Sequence, residues 1–456
     1  MRLKTETNSI YLIMYRLCFV LFLTGFFSCK QPVTSNYFND PVLYSTTVKK
    51  LNEVVLENNF PPMIAARNYV YASIAGYECM AAGDTTYQSL AGQIKHLPPL
   101  PKPLADTSVN FQLASLLAFL KTGNAVTFPE GNLMGYYNDL LKLADSVGLS
   151  EETIHATQQF ADTIAASILA WSKKDSYGPT RGAPKYDFRG EEGKWAPTPP
   201  MYSSAVEPHW RKIRPMILDS ASQFDIPRPP VYDIKNKNSV YYQALLEVKQ
   251  VGDSLTAEQK QIADFWDDNP FRMEVKGHMM YATKKFSPPG HWLNIVGIAA
   301  HHAKADYTQT VAAYAITSIA FFDAFIRAWD EKYTSQYPRP ETAINKFIDE
   351  YWQPYIQTPP FPSYVSGHAT NSAAAAEAMT YCFGDQLSFM DTSLVDYGIP
   401  ARKIHSFRKA AEEAALSRLY GGIHYRFDND EGLKVGKQVG QLVVARVRLK
   451  KLSVRP

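Results

Sequence analysis

Four cysteines in 456 residues are too few for a disulfide framework. Charge of one sign is lacking too. The formal net charge is +3, with 20% charged residues, so nothing in the bulk balance points to a nucleic-acid partner. Strand-type alternation of useful length, a fixed-period repeat and low-complexity tracts are all missing, which argues against a sandwich, a solenoid and a disordered chain. What is present is 46% hydrophobic residues in a chain long enough for a large buried core.

The first residues read as a leader. "MYRLCFVLFLTGFFSCK" carries a basic residue and then an apolar run from Leu17 to Phe27, too short to span a bilayer permanently. Small Ser28 precedes Cys29, a junction that resembles a bacterial lipoprotein cleavage site. Residues 1–28 are therefore expected to be a lipoprotein signal peptide, with translation beginning at Met14 as an option. Cys29 would be the lipidated first residue, holding an exported protein to the outer membrane by its lipid alone. Cys18 leaves with the leader, and Cys79 and Cys382 remain as expected buried free thiols. The leader takes three basic residues and one acidic residue with it, so the mature chain stays near neutral.

Residues 29–48 are polar and read as a tether. From 49 onward, "LASLLAFLKTG", "MGYYNDLLKLADSVG" and "TIHATQQFADTIAASILAWSKK" place apolar residues at three- and four-residue spacing, and Ser150 is a plausible start for the last of them. Residues 176–235, with "KWAPTPPMYSSAVEPHW" and "FDIPRPPVYD", read as a long Pro- and aromatic-rich connector. Helical spacing returns near Ser239 and runs to Trp266. "DDNPF…KKFSPPGHW" reads as a loop, and the stretch from Leu293 to Tyr333 as one or two long, largely buried helices. The expected fold is all-α: two packed helical bundles, 49–238 and 239–456, with long Pro- and aromatic-rich loops.

Three short segments carry chemistry. "KYTSQYPRP" spaces Lys332 six residues from Arg339. "FPSYVSGHA" ends in Ser366, Gly367 and His368. "SRLYGGIHYRFD" spaces Arg418 five residues from His424, with Asp428 four further on. Each alone has an ordinary explanation: a surface charge pair before a Pro turn, a helix start with an exposed His, a salt-bridged helix face. Together they supply three cations, a hydroxyl, a glycine N–H and two imidazoles, the inventory for a tetrahedral or trigonal-bipyramidal oxyanion. "HATNSAAAAEAMTYC" is a strong helix former, so Ser366 and Gly367 fall at a helix N-terminus, where free N–H groups favour negative charge. His424 could reach the central atom while Asp428 fixes its other ring nitrogen. Gly421 and Gly422 would relieve the backbone so that His424 turns inward. The adjacent His301 and His302 diverge on a helix and read as core or surface filling; His278 and His291 read as loop residues with no visible partner.

Lys-x6-Arg-Pro, then Ser-Gly-His, then Ser-Arg-x5-His-x3-Asp resembles the signature shared by vanadium-dependent haloperoxidases and type 2 phosphatidic acid phosphatases. Val365 stands where that signature has Pro. The motif region covers about residues 320–440, and "FWDDNP", "PPGHW" and "GKWAPTPP" extend the resemblance back to about 190. The resemblance implies vanadate as cofactor, with His424 as its axial protein ligand. Lys332, Arg339, Ser366, Gly367 and Arg418 would neutralise its oxygens, and His368 would be the acid–base group. Hydrogen peroxide and a halide would be the substrates, and a small organic molecule could accept the halogen. In the phosphatase branch His424 would attack phosphorus, and a third reading is a non-catalytic oxyanion-binding lipoprotein.

Chain length, the upstream aromatics, and Trp329 and Trp266 placed like pocket aromatics favour the haloperoxidase branch. Phe361 stands where algal bromoperoxidases resemble one another in having His. The motif spacing looks most like bacterial iodoperoxidases, although Phe271 replaces a Tyr found in them. The expected halide is iodide, then bromide.

Overall fold

A computed structural model describes residues 36–451 except 106, 277 and 283. The expected leader, the Met14 start and Cys29 lie outside the described residues. Helix begins at Pro41, earlier than expected: α1 spans Pro41–Glu57, and the Asp40 carboxylate accepts the Val42 N–H at 2.8 Å. Residues from Tyr37 onward therefore belong to the fold rather than to the expected tether, a 3-10 turn at Tyr37–Asn39 burying Phe38 in the core. The polar letters of that stretch hid a one-sided pattern in which Tyr44, Val48 and Leu51, spaced by four and three, are buried.

The first bundle continues with α2 (Pro62–Gly83), α3 (Phe111–Val126), α4 (Met134–Ser146) and α5 (Glu151–Ser172). Ser150 caps α5 by accepting the Thr153 N–H, with Glu151 and Glu152 in the first turn where the helix dipole favours acids. Residues 176–235 are irregular apart from α6 (Tyr177–Arg181) and a 3-10 turn at Trp210–Lys212. The Pro content explains this, because Pro removes a backbone donor and clashes inside a helix.

The segment from Ser239 to Trp266 is two helices, α7 (Val240–Asp253) and α8 (Ala257–Phe265), the second started by a Thr256–Gln259 capping box. A short antiparallel ribbon follows, β1 (Met273–Lys276) with β2 (Met279–Ala282). Four residues per strand are too few for alternation to be read from the sequence. "PPGHW" is not a loop: it is the first turn of α9 (Pro288–His302), where Pro suits positions whose N–H has no helical partner. α10 (Tyr307–Ser335) is set off from α9 by Lys304 at φ +54° and an Asp306–Gln309 capping box. The remainder is α11 (Pro340–Phe347), α12 (Gly367–Phe383), a three-residue pairing of β3 (Phe389–Asp391) with β4 (Arg402–Ile404), α13 (Phe407–Tyr420) and α14 (Arg426–Arg446).

The protein is all-α in class, and α10 is its spine. It runs 29 residues, about 44 Å at 1.5 Å per residue, and packs on α2 on one side and on α12 on the other. It is long and apolar enough to cross a membrane by composition, yet its apolar window is wholly buried between the bundles. Both bundles share one hydrophobic core through it. Cys79 is buried and Cys382 partly so, both unpaired.

The second bundle is drawn tight by glycine. Gly432, Gly436 and Gly440 recur every four residues along one face of α14. A Cβ would stand 2.9 Å from the Ser366 carbonyl oxygen at the first and 2.8 Å from the Ala374 oxygen at the third, and would collide with the Thr370 carbonyl at the second. The backbones of α12 and α14 therefore touch, and their N-termini lie side by side, joined by a 3.0 Å hydrogen bond from the Ser366 N–H to the Asp428 carbonyl.

Candidate active site

The three sequence segments converge there. Lys332 lies in the last turn of α10 and Arg339 caps α11. Ser366, Gly367 and His368 open α12, Arg418 is in the last turn of α13, and His424 sits in the turn before α14. That turn depends on its two glycines. Gly422 adopts φ +76°, and a Cβ on Gly421 would stand 2.8 Å from the Ile356 side chain. Lys332, Arg339, Ser366, Arg418 and His424 are all buried, and His368 is partly so.

His424 is held by its Nδ1, 2.9 Å from Asp428 Oδ2. A carboxylate accepts, so Nδ1 carries the hydrogen and Nε2 keeps its lone pair. Ser363 braces the same carboxylate, its hydroxyl donating to Oδ2 at 2.5 Å, and the Tyr425 N–H donates at 3.3 Å. Ser363 had no role in the sequence reading; its signal was the Ser of "PSYVSGH", two residues too far from the Ser-Gly-His core to be singled out. Arg339 Nη1 donates to His424 Nε2 at 3.0 Å and to the Ile423 carbonyl, while its Nε donates to the Phe361 carbonyl. Lys332 Nζ donates to the carbonyls of Pro362 and Ser363, both at 2.9 Å. Arg418 Nη1 donates to the Trp266 carbonyl at 2.6 Å.

This cluster carries a charge imbalance. Three cations are buried against Asp428. Burial, and then Arg339, push the Lys332 ammonium well below its ordinary pKa. Burial lowers Arg339 to about 9, with Arg418 adding to the fall and Asp428 opposing it. Burial also lowers both His368 and His424, helped by the neighbouring cations, so both imidazoles are neutral at pH 7. Burial raises Asp428 to about 6, against the opposing pull of Ser363 and the cations.

An oxyanion fits this arrangement. Arg339 Nη2, Arg418 Nε and His368 Nε2 are buried with no hydrogen-bond partner among the described residues. Such orphans are costly in a native interior, and the two guanidinium nitrogens mark a missing acceptor. The Ser366 hydroxyl and the first N–H groups of α12 supply further donors. A Cβ on Gly367 would stand 3.2 Å from the Trp329 ring, so this helix start admits no side chain without displacing that wall.

The pocket above is narrow, with a cavity volume of about 20 Å³, and is lined by Gly367, His368, Arg418 and His424 below and by Phe271, Phe325, Trp329 and Phe361 on its walls. Phe361 packs 5.0 Å from Trp329 and 6.1 Å from Phe271. Lys332 Nζ lies over the Phe361 ring at 5.1 Å, and the Arg339 guanidinium at 5.0 Å. Trp266 does not line the pocket, contrary to expectation. Its indole N–H donates to Glu413 and its ring stacks against Trp292; only its carbonyl reaches the site, through Arg418.

The remaining histidines divide. His278, His301 and His302 are exposed. His291 is the opposite of an unpartnered loop residue: it is buried in α9 between Asp268 and Asp391. The sequence separation of 23 and 100 residues to those partners hid the cluster.

A family model described as "VCPO second helical-bundle domain" matches residues 312–450, the span that carries every motif residue. Among solved structures, the chain is similar to the first bacterial vanadium-dependent iodoperoxidase, at 38% identity and TM-score 0.85, over 90% of this chain and 97% of that one. It shares the fold of an apo-type bacterial vanadium-dependent chloroperoxidase, at 20% identity and TM-score 0.63, over 85% of this chain and 94% of that one. The holo-type chloroperoxidase gives 19% identity and TM-score 0.61, with 85% and 92% covered. No curated protein sequence matches the chain.

Proposed function

The chain belongs to the vanadium-dependent haloperoxidases, and from that premise we propose that its halide is iodide, with bromide second. The family makes it a peroxidase with vanadate as cofactor and with hydrogen peroxide and halide as substrates. The finer reading rests on one observation: the wall above the oxyanion donors is aromatic, with Phe361 at its centre flanked by Trp329 and Phe271. A halide entering there loses water. The cost of desolvating an ion falls as its radius grows, so iodide enters most cheaply and the polarisable rings suit it best. The similarity to an iodoperoxidase supports the same halide.

Bound vanadate would supply a Lewis acid that makes peroxide electrophilic toward halide. Each residue then has a task. His424 would offer vanadium the Nε2 lone pair that here accepts from Arg339 Nη1, with Asp428 and Ser363 holding the ring by its other nitrogen. Lys332, Arg339 and Arg418, with Ser366 and the Gly367 N–H, would hold the oxyanion's oxygens and offset its charge. His368 is neutral and its Nε2 is free, so it would take a proton from entering peroxide and return one to the departing oxygen. The aromatic wall would orient the halide and limit water.

The test is activity of purified apo-protein. Orthovanadate should bring peroxide-dependent iodide oxidation, exceeding that of bromide, and excess phosphate should block the gain. Activity that requires haem or iron, or indifference to vanadate, sinks the reading. Hydrolysis of a phosphate ester without vanadate would move the chain's chemistry to His424 as nucleophile.

We also propose that the protein is exported and lipid-anchored through Cys29. Cys29→Ser should free it from membranes, since the acyl chains supply the anchor. Unchanged membrane retention with an intact N-terminal peptide by mass spectrometry rules this out.

A further inference from the structure

Arg418 is an unusual cation. It is buried, lies on the pocket floor and forms no ion pair among the described residues, although two consecutive carboxylates, Asp267 and Asp268, are close enough to act on its charge. Asp268 is fully occupied elsewhere and Asp267 through Oδ2 alone, its Oδ1 being buried without a hydrogen-bond partner among the described residues. Asp267 is bound by Arg272 at 3.0 Å and Lys285 at 3.2 Å. Asp268 lines the same pocket as Arg418 but gives both its oxygens to His291 Nδ1, at 3.1 Å each.

His291 is fixed on its other side. Its Nε2 meets Asp391 Oδ2 at 3.1 Å, and Asp391 is itself held by the Ser393 N–H and hydroxyl at 2.9 and 2.6 Å. The ring lies 4.8 Å from that of Trp266. Burial opposes a charge here, yet the two carboxylates outweigh it and raise the imidazole to about 10. A cation with a donor on each nitrogen thus bridges the loop at Asp268 to the strand at Asp391.

We propose that His291 is a positioning residue for the cofactor site: it holds Asp268 off the Arg418 guanidinium, so that Arg418 Nε stays free for an oxyanion. Without the imidazolium, the Arg or Lys that lines the same pocket as Asp268 is Arg418. Closing that ion pair would take one donor from the cofactor and cancel a positive charge that the cofactor needs. The proposal rests on the vanadate reading above.

Vanadium retained by purified protein after orthovanadate loading and desalting tests it directly, with circular dichroism and melting as checks on folding. His291→Gln should lower vanadate affinity about 10- to 100-fold, the usual range for residues behind a metal site's contacts. The double variant His291→Gln with Asp268→Asn should regain most of that affinity, because the competing carboxylate is gone. A merely structural role for His291 predicts no such rescue. Wild-type affinity in His291→Gln, or a folded double variant as weak as the single one, overturns the inference. If His291→Gln does not fold, Asp268→Asn alone decides: affinity equal to or above wild type supports competition, and a tenfold loss (about 1.4 kcal/mol) overturns it. Wild-type protein that retains no vanadate at all would instead overturn the cofactor reading itself.

Discussion

Gly436 of α14 lies directly against the Thr370 carbonyl of α12, with no space for even one carbon between them. This contact sets how far His424 and Asp428, at the start of one helix, stand from Ser366 and Gly367, at the start of the other. Gly436→Ala must push backbone away from backbone. Overpacking of this kind typically costs about 1–3 kcal/mol. Urea denaturation should show that loss, and vanadate retention should fall with it; an alanine variant of unchanged midpoint contradicts the packing account.

His424 and His368 should separate ligand from proton carrier. His424→Ala is expected to abolish both tight vanadate retention and turnover, since it removes the only proposed protein bond to vanadium. His368→Ala should keep vanadate through Lys332, Arg339, Arg418 and His424, yet turn over about 10²–10⁴-fold more slowly. Vanadium stoichiometry measured beside iodide oxidation distinguishes them. The roles are reversed if the His368 variant loses vanadate and the His424 variant retains it.

Asp428→Ala should fall between those two. It leaves His424 Nδ1 without its 2.9 Å acceptor and frees the Ser363 hydroxyl. Vanadate affinity or activity should drop roughly 10- to 100-fold, as read by titration of the apo-protein. An undiminished variant would mean that the ring is oriented by packing alone.

Phe361→Ala tests the halide wall. The ring lies over both Lys332 and Arg339, contacts worth about 0.5–1 kcal/mol each at partly exposed sites and more when dry. Its loss should raise KM for iodide several-fold more than it changes kcat, and narrow the preference for iodide over bromide. Steady-state kinetics with both halides check this; an unchanged halide ratio removes Phe361 from the selectivity argument.

His291 should leave a mark on stability at alkaline pH. Its folded pKa, about 10, lies above the unfolded value of 6.5. The folded state therefore binds one more proton between those values, and the stabilisation is complete below about pH 6.5 and lost as pH rises through 10. Urea midpoints measured from pH 6.5 to 10 should decline in wild type and decline less in His291→Gln. Parallel slopes would show that the imidazole titrates normally.

The oxyanion donors were legible in the sequence because each is tied to a short local pattern. Ser366 and Gly367 precede an alanine-rich helix, Arg418 ends one, and His424 follows a Gly-Gly turn. The helices themselves were legible wherever apolar residues recur on one face, as in α3 to α5. What stayed hidden depends on distance along the chain. His291 finds its carboxylates 23 and 100 residues away, so no spacing rule links them. Trp266 was misread for a related reason: the sequence places an indole near the site but not which way it points, and Glu413 turns it away. The start of α1 was missed because its first turns bury the polar Thr47 beside Tyr44 and Val48 and expose the apolar Val42, which blurs the one-sided pattern.

The dispersal of Lys332, Arg339, Arg418 and His424 over four separate elements makes the anion a staple as well as a reagent holder. Each cation burdens its own element with charge repulsion that no local change can relieve, and one bound tetrahedral ion relieves all of them together. The folded protein should therefore behave as a gauge of oxyanion concentration, its melting temperature rising with the logarithm of free vanadate or phosphate once either exceeds its dissociation constant. In a compartment poor in vanadium, phosphate would keep the fold intact at the cost of turnover, and the two ions would compete for a single seat.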